Sequence, residues 1–102
     1  MKGKSRVYIV SNGGHDYSSA SEFGEIVFCT ESTIRRDDTS QMFRELSEAL
    51  DLSQHHDYIL VSSLTSLCMI AASIMTFKHG ELHLLLHKDG KYVSRDIILD
   101  NL

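Results

Sequence analysis

Apolar residues in this chain fall into short continuous runs separated by polar, turn-forming residues, and this pattern is typical of buried β-strands. The runs predict five strands, near residues 7–10, 26–29, 59–61, 82–86 and 92–95. The last two runs are separated by the sequence Lys-Asp-Gly-Lys at residues 88–91, whose Asp-Gly pair is typical of a tight hairpin turn. The C-terminal part of the chain is therefore predicted to form an antiparallel hairpin.

The segments between the first four strands have helical character. A short helix over residues 17–23 is predicted, with Asp16 as its cap and Gly24 closing it in a left-handed conformation. Residues 42–50 repeat apolar side chains at helical spacing after an acidic and hydroxyl-rich start, so they form an amphipathic helix. A second long helix covers residues 64–77 (Leu64 to Phe77) and ends at Lys-His-Gly.

The order of elements, β-α-β-α-β-α-β-β, favours one α/β domain over residues 1–102. With right-handed crossovers, we expect a small three-layer Rossmann-like domain: a mostly parallel sheet of about five strands with a C-terminal antiparallel hairpin. The first crossover, residues 11–24, is only just long enough for a parallel connection. The alternative is that the first two strands pair as a hairpin with a long loop.

Charge and composition exclude several functions. The net charge is −4, and Lys2, Lys4 and Arg6 contribute +3, so the remainder of the chain carries −7. Such an acidic domain is not expected to bind nucleic acid, whose phosphates would repel it. Residues 58–77 lack charge but include hydroxyl residues and a strand-to-helix break, so no membrane span is predicted. No signal peptide is visible at the N-terminus, where charged residues lead directly into a strand.

The two cysteines also bear on where the protein acts. Cys29 and Cys68 lie in apolar runs without a paired spacing, and we interpret them as buried free thiols. Free thiols fit a reducing compartment, so a cytoplasmic location is expected.

The loop after the first strand is the most unusual stretch of the sequence. Ligands of open α/β sheets bind beyond the carboxyl ends of the strands, where glycines allow close backbone approach. We expect ligand contact here, with catalysis by His15 and Asp16 if the protein is an enzyme. The predicted contacts in this loop are Asn12, Gly13, Gly14, His15, Asp16 and Tyr17. Neither the dinucleotide fingerprint nor a phosphate-loop motif is complete, and the alternative is a simple turn with Asp16 as a helix cap.

Hydroxyl and basic residues follow the neighbouring strands. Ser63, Thr65 and Ser66 stand at the start of the second long helix, with Ser63 or Thr65 as its cap. Arg35 and Arg36 follow the second strand and could bring positive charge to the same edge. Together these residues predict a small anionic ligand, such as a nucleotide. The alternative is that the hydroxyl residues only cap helices and that the arginines are only solvated residues of a loop.

Histidines are numerous, but no metal site and no cofactor are predicted. His79, His83 and His87 are four residues apart, and along a strand this spacing spans about 13 Å, too far to share one ion. His55 and His56 lie in a polar connection and are interpreted as solvated.

The helix over residues 64–77 carries no charge on any face, although a helix on the outside of a small sheet normally has a charged side. Self-association through this helix would cover its outer face. Three functions therefore remain open. The leading one is a binding module for a nucleotide or other anionic metabolite, acting as a sensor, carrier or sequestering protein. The second is a small hydrolase or phosphodiesterase that uses His15 and Asp16. The third is a homo-oligomeric assembly or adaptor protein without a small ligand.

Overall fold

The five apolar runs form one sheet in the computed structural model, which describes residues 5–30, 35 and 37–101. Each strand begins and ends within three residues of its predicted limits, and the hairpin strands are longer than predicted. The strands are β1 (Arg6–Ser11), β2 (Glu25–Thr30), β3 (Tyr58–Leu60), β4 (Glu81–Lys88) and β5 (Lys91–Ile98).

The spatial order of the strands is β2-β1-β3-β4-β5. Neighbours among β1 to β4 are parallel, and β5 pairs antiparallel with β4. The predicted α/β class, the mostly parallel sheet and the C-terminal hairpin are therefore confirmed. The alternative hairpin of the first two strands is wrong, because β1 and β2 are parallel.

Two α-helices cover one face of the sheet. Helix α1 (Thr39–Ala49) begins where the Asp38 carboxylate accepts a hydrogen bond from the amide of Gln41 at 3.0 Å. Helix α2 (Thr65–His79) ends at Gly80, whose φ of 71° is left-handed. The core between helices and sheet contains Tyr8, Val10, Met42, Leu46, Leu50, Ile59, Leu67, Cys68, Ala71, Met75 and Leu82.

The opposite face is covered by a 3-10 segment, Ser18–Glu22, which replaces the predicted short helix over residues 17–23. Tyr17 and Ala20 pack there against alternate strand residues, including Val7 and Leu85. The segment contacts β2 and β5, which are the two outermost strands, so the sheet curls around it. The third layer is therefore a short segment anchored by the buried Ala20 and not a full helix.

Gly24 follows this segment, and its predicted left-handed conformation is wrong. Its φ is 158°, and the amide of Glu25, its neighbour, bonds the Ser5 carbonyl at 3.1 Å. A Cβ at residue 24 would lie 2.2 Å from the same oxygen. Glycine is required here because the start of β1 passes directly over it.

No helix in the described part of the chain is both long enough and apolar enough to cross a membrane. Cys29 is half-buried and Cys68 is buried, and both are free thiols, as predicted. Burial, with a smaller contribution from Cys68, raises the pKa of Cys29 to about 12.

Candidate functional site

The two loops predicted to form the ligand site lie at the same edge of the sheet. β1 and β3 are parallel neighbours, so residues 12–17 after β1 and residues 62–66 after β3 are both at the carboxyl edge. The chain leaves β1 toward β2 on one side and leaves β3 toward β4 on the other. This reversal is the topological switch point at which open α/β sheets bind ligands.

The loop of residues 12–17 is held by its own side chains. Asn12 Oδ1 accepts a hydrogen bond from the amide of Gly14 at 3.3 Å, and Gly14 has a φ of 85°. Asp16 Oδ1 accepts from the amide of Ser18 at 2.9 Å, and this bond lowers the pKa of Asp16. Tyr17 is buried, whereas His15 is exposed. Asp16 therefore holds a local turn, but its predicted role as the helix cap is wrong, because the N-cap is Tyr17 and no side chain caps the segment. His15 is exposed to solvent.

The start of α2 differs from the prediction. Its N-cap is Leu64, with no side-chain capping bond, so neither Ser63 nor Thr65 caps the helix. Thr65 instead donates through its amide to the Ser63 carbonyl at 2.9 Å. Ser63, Thr65 and Ser66 are all exposed at this edge. No side chain caps the first turn, but the amide of Thr65 is already bonded, so an anion here would have to meet the amides that follow it.

Arg35 does not supply uncompensated charge here. Arg35 is exposed and forms an ion pair with Asp37 at 3.1 Å. Arg36 lies outside the described residues. The positive charge expected from this segment is therefore balanced locally at Arg35.

The β4–β5 hairpin brings residues to this edge that the sequence analysis missed. Its turn joins Lys88 to Lys91, and the rings of His87 and Tyr92 are 5.2 Å apart. Burial raises the pKa of Tyr92, and the nearby Tyr17 and Asp16 raise it further. The predicted parallel sheet could have shown this, because a strand parallel to β1 must end at the same edge as β1.

The opposite, amino edge carries a histidine–carboxylate network. His83 donates through Nδ1 to Asp96 at 2.6 Å and through Nε2 to Glu81 at 2.8 Å. Burial alone would lower the pKa of His83, but the bonds to Asp96 and Glu81 outweigh it and raise the pKa. Glu81 also accepts from His55 at 3.1 Å. In the described part of the chain, no group of His, Cys, Asp and Glu side chains could hold a metal ion.

A Ser-His-Asp cluster beside this network is structural. Ser5 Oγ donates to the His56 carbonyl at 3.0 Å and lies 2.8 Å from His56 Nδ1. The nearest Asp57 oxygen is 3.7 Å from that same Nδ1. A catalytic triad needs the serine and the carboxylate on different ring nitrogens, so this geometry does not activate Ser5. The interpretation of His56 as solvated is wrong, because its side chain is mostly buried.

A third feature is an apolar groove between α1 and α2, with a volume of about 880 Å³. The most exposed apolar side chains along it are Phe77 (92% exposed), Met69 (65%) and Phe43 (57%). Lys78 closes one end by donating through Nζ to the carbonyls of Leu50 and Asp51, at 2.7 and 2.8 Å. The groove is lined by Phe43, Ser47, Asp51, Met69, Ile70, Ser73, Ile74, Phe77 and Lys78.

Comparison with known sequences identifies one family. The sequence model described as Phage Pam3 gp32-like protein matches residues 5–99, nearly the whole chain. No curated protein and no solved structure matches significantly.

Proposed function

The chain belongs to the phage Pam3 gp32-like protein family, and for it we propose a self-associating assembly module whose contact surface is the groove between α1 and α2. The observation that supports this proposal is the exposure of Phe43, Met69 and Phe77 along one groove. The largest apolar patch on a protein surface is often a functional contact surface. This is the third of the functions left open by the sequence.

The exposed area fits a protein interface. If each fully exposed large side chain offers about 200 Å², the three side chains expose about 400 Å² of apolar surface. A standard interface buries about 800 Å² per partner, of which slightly more than half is apolar. The groove therefore provides roughly the apolar part of one such interface.

The experiment is a measurement of mass against concentration, by light scattering or sedimentation. We expect the wild-type protein to exceed its monomer mass of 11.5 kDa at micromolar concentration. Phe77→Asp should weaken association at least about 100-fold, because it would place a charge in the apolar contact. The matched control is Leu52→Asp, since Leu52 is exposed but does not line the groove. A wild-type protein that stays monomeric at about 100-fold higher concentration would contradict the proposal.

A second candidate is the binding of a small anionic ligand, such as a nucleotide, at the carboxyl edge. The specific observation is that the uncapped start of α2 lies at the switch point between β1 and β3. Gly13 and Gly14 beside it leave room for close backbone approach. Lys88 and Lys91 add positive charge at the same edge.

Thermal unfolding with a panel of nucleotides and inorganic phosphate tests this candidate. Gly13→Val should remove any stabilisation by the active compound, because the added side chain would block the loop backbone. The fold should tolerate this change, since a Cβ at Gly13 meets nothing closer than 3.8 Å. If the compound raises the melting temperature of the variant and of the wild type equally, it does not bind at this loop.

The hydrolase alternative remains a proposal for the same edge. Its acid–base group would be His15, since the Asp16 carboxylate is engaged by Ser18. His15→Ala would lower turnover and leave binding in place if the protein is an enzyme, whereas a binder would lose some affinity only.

The free thiols Cys29 and Cys68 support the further proposal that the protein acts in a reducing, cytoplasmic compartment.

A further inference from the structure

The shape of the groove indicates how a second copy would fit into it. We propose that two copies pair through α2 in antiparallel orientation, with the two-fold axis beside Ser73. Each Phe77 then enters the partner copy's groove between Phe43 and Met69. This inference rests on the proposed self-association and specifies its geometry.

The first argument is the self-complementary row of side chains on α2. Met69, Ser73 and Phe77 are spaced by four residues, so they form one ridge along the helix surface. The large side chains stand at equal distances on either side of a small one. A two-fold axis at the centre of this row places each Phe77 opposite Met69 of the other copy, and the small central residue allows the helices to approach closely.

The second argument is that Ser73 can be covered without losing a hydrogen bond. Its hydroxyl already donates to the Met69 carbonyl within the same helix, at 2.9 Å. A polar group is costly to bury chiefly when it lacks a partner. The hydroxyl at the centre of the proposed contact is therefore already satisfied.

The third argument concerns helix direction. α1 and α2 both lead from the carboxyl edge of the sheet back to its amino edge, so their dipoles point the same way. The contact of Lys78 near the end of α2 with the carbonyls of Leu50 and Asp51 agrees with this parallel arrangement. In an antiparallel pair the helix dipoles of the two copies point in opposite directions, which is favourable. In a parallel pair the N-termini of all four helices would lie together, and so would their C-termini, which is unfavourable.

Charge does not oppose the pairing, although the chain carries −4 overall. The groove lining contains one acidic residue, Asp51, and one basic residue, Lys78, and both are at the same end. The surface that the second copy would cover is therefore close to neutral.

Cysteine cross-linking of the full chain tests the geometry. Under a mild oxidant such as diamide, Ser73→Cys should form a disulfide-linked dimer at micromolar concentration, because the two introduced thiols would face each other across the axis. Adding Phe77→Asp should slow this cross-linking at least about tenfold, which separates a specific contact from random collision. The wild-type protein provides the baseline, since Cys68 is buried and Cys29 is half-buried.

Ser66→Cys is the matched control. Ser66 is exposed, on the same helix and seven residues before Ser73, so it lies on nearly the same face. In the antiparallel pair the two copies of residue 66 are about 21 Å apart along the helices, from the rise of about 1.5 Å per residue, and should not link. In a parallel pair both positions would link.

The outcomes distinguish the antiparallel geometry from the proposed self-association on which it rests. Cross-linking at residue 73 alone supports the antiparallel pair, and equal cross-linking at 66 and 73 overturns it. A dimer that Phe77→Asp dissociates but that links at neither position also overturns the antiparallel geometry, while the proposed self-association stands. A monomeric mass for the wild-type protein overturns both.

Discussion

Asp57 ties the start of β1 to the connection before β3, and its removal should destabilise the fold strongly. Its carboxylate is 1% exposed. Oδ1 accepts a hydrogen bond from the amide of Arg6 at 2.8 Å, and Oδ2 accepts from the amide of Gln54 at 2.7 Å. Both donors are backbone groups, so this one buried carboxylate joins two segments of main chain that are far apart in the sequence.

The magnitude follows from these two bonds. A hydrogen bond to a charged group contributes about 1.5–3 kcal/mol. Asp57→Ala removes both bonds, and we expect the free energy of unfolding to fall by about 3 kcal/mol or more. Asp57→Asn keeps one acceptor oxygen and should cost about half as much. For a domain of this size, a loss of about 3 kcal/mol lowers the melting temperature by about 12 °C or more.

Unfolding of the purified variants by denaturant measures the free energy of unfolding, and thermal unfolding measures the melting temperature. The matched control is Asp37→Ala, because that carboxylate is 73% exposed and its ion pair with Arg35 lies on the surface. The control should change stability by less than about 1 kcal/mol. If Asp57→Ala and Asp37→Ala unfold at the same denaturant concentration, the role assigned to the buried carboxylate is wrong.

Three further predictions concern other parts of the fold. Gly24→Ala should lower the melting temperature by at least about 8 °C, because the new Cβ would lie 2.2 Å from the Ser5 carbonyl. The control Gly13→Ala should leave the melting temperature nearly unchanged, because its Cβ would make only ordinary contacts. Equal melting temperatures for the two variants would refute the argument. The pKa of His83 is raised in the folded protein, so its positive charge stabilises the fold. This stabilisation is fully present below the pKa of about 6.5 that histidine has in the unfolded chain, and it is lost as the pH rises through the pKa in the folded protein. The stability difference between wild type and His83→Gln should therefore shrink as the pH rises from below about 6.5 through the folded pKa of His83, and a constant difference would contradict this. With its pKa near 12, Cys29 should react with a thiol reagent at about pH 8 at least about 100-fold more slowly than in the unfolded chain, as measured by mass spectrometry.

Much of the fold could be predicted because it depends on local patterns. β-branched and aliphatic runs predicted the strands, and Gly80 predicted the end of α2. The cross-strand contact of His83 with Asp96 was also within reach of the sequence. A two-residue turn at residues 89 and 90 pairs Lys88 with Lys91, and counting back along both strands then places 83 opposite 96.

Other contacts could not be predicted, because they depend on distances set by the assembled fold. Ser5 and His56 are 51 residues apart in the chain, and they meet only because β1 and β3 are neighbours. The bond between His55 and Glu81 likewise spans 26 residues. The capping prediction at Ser63 or Thr65 failed for a local reason: both residue types are good caps, and the sequence does not say at which residue the helix begins.

The interior position of β1 in the sheet has a consequence for the growing chain on the ribosome. β1 is made before both of its neighbours, and one of them, β3, emerges only after α1 and residues 50–57 have been synthesised. During that interval one edge of β1 has no strand beside it, and Tyr8 and Val10 lack the helix α2 that later covers them. Exposed edges and apolar runs of this kind promote aggregation of nascent chains. A pause in translation before β3 has been made would therefore prolong the exposure of this edge.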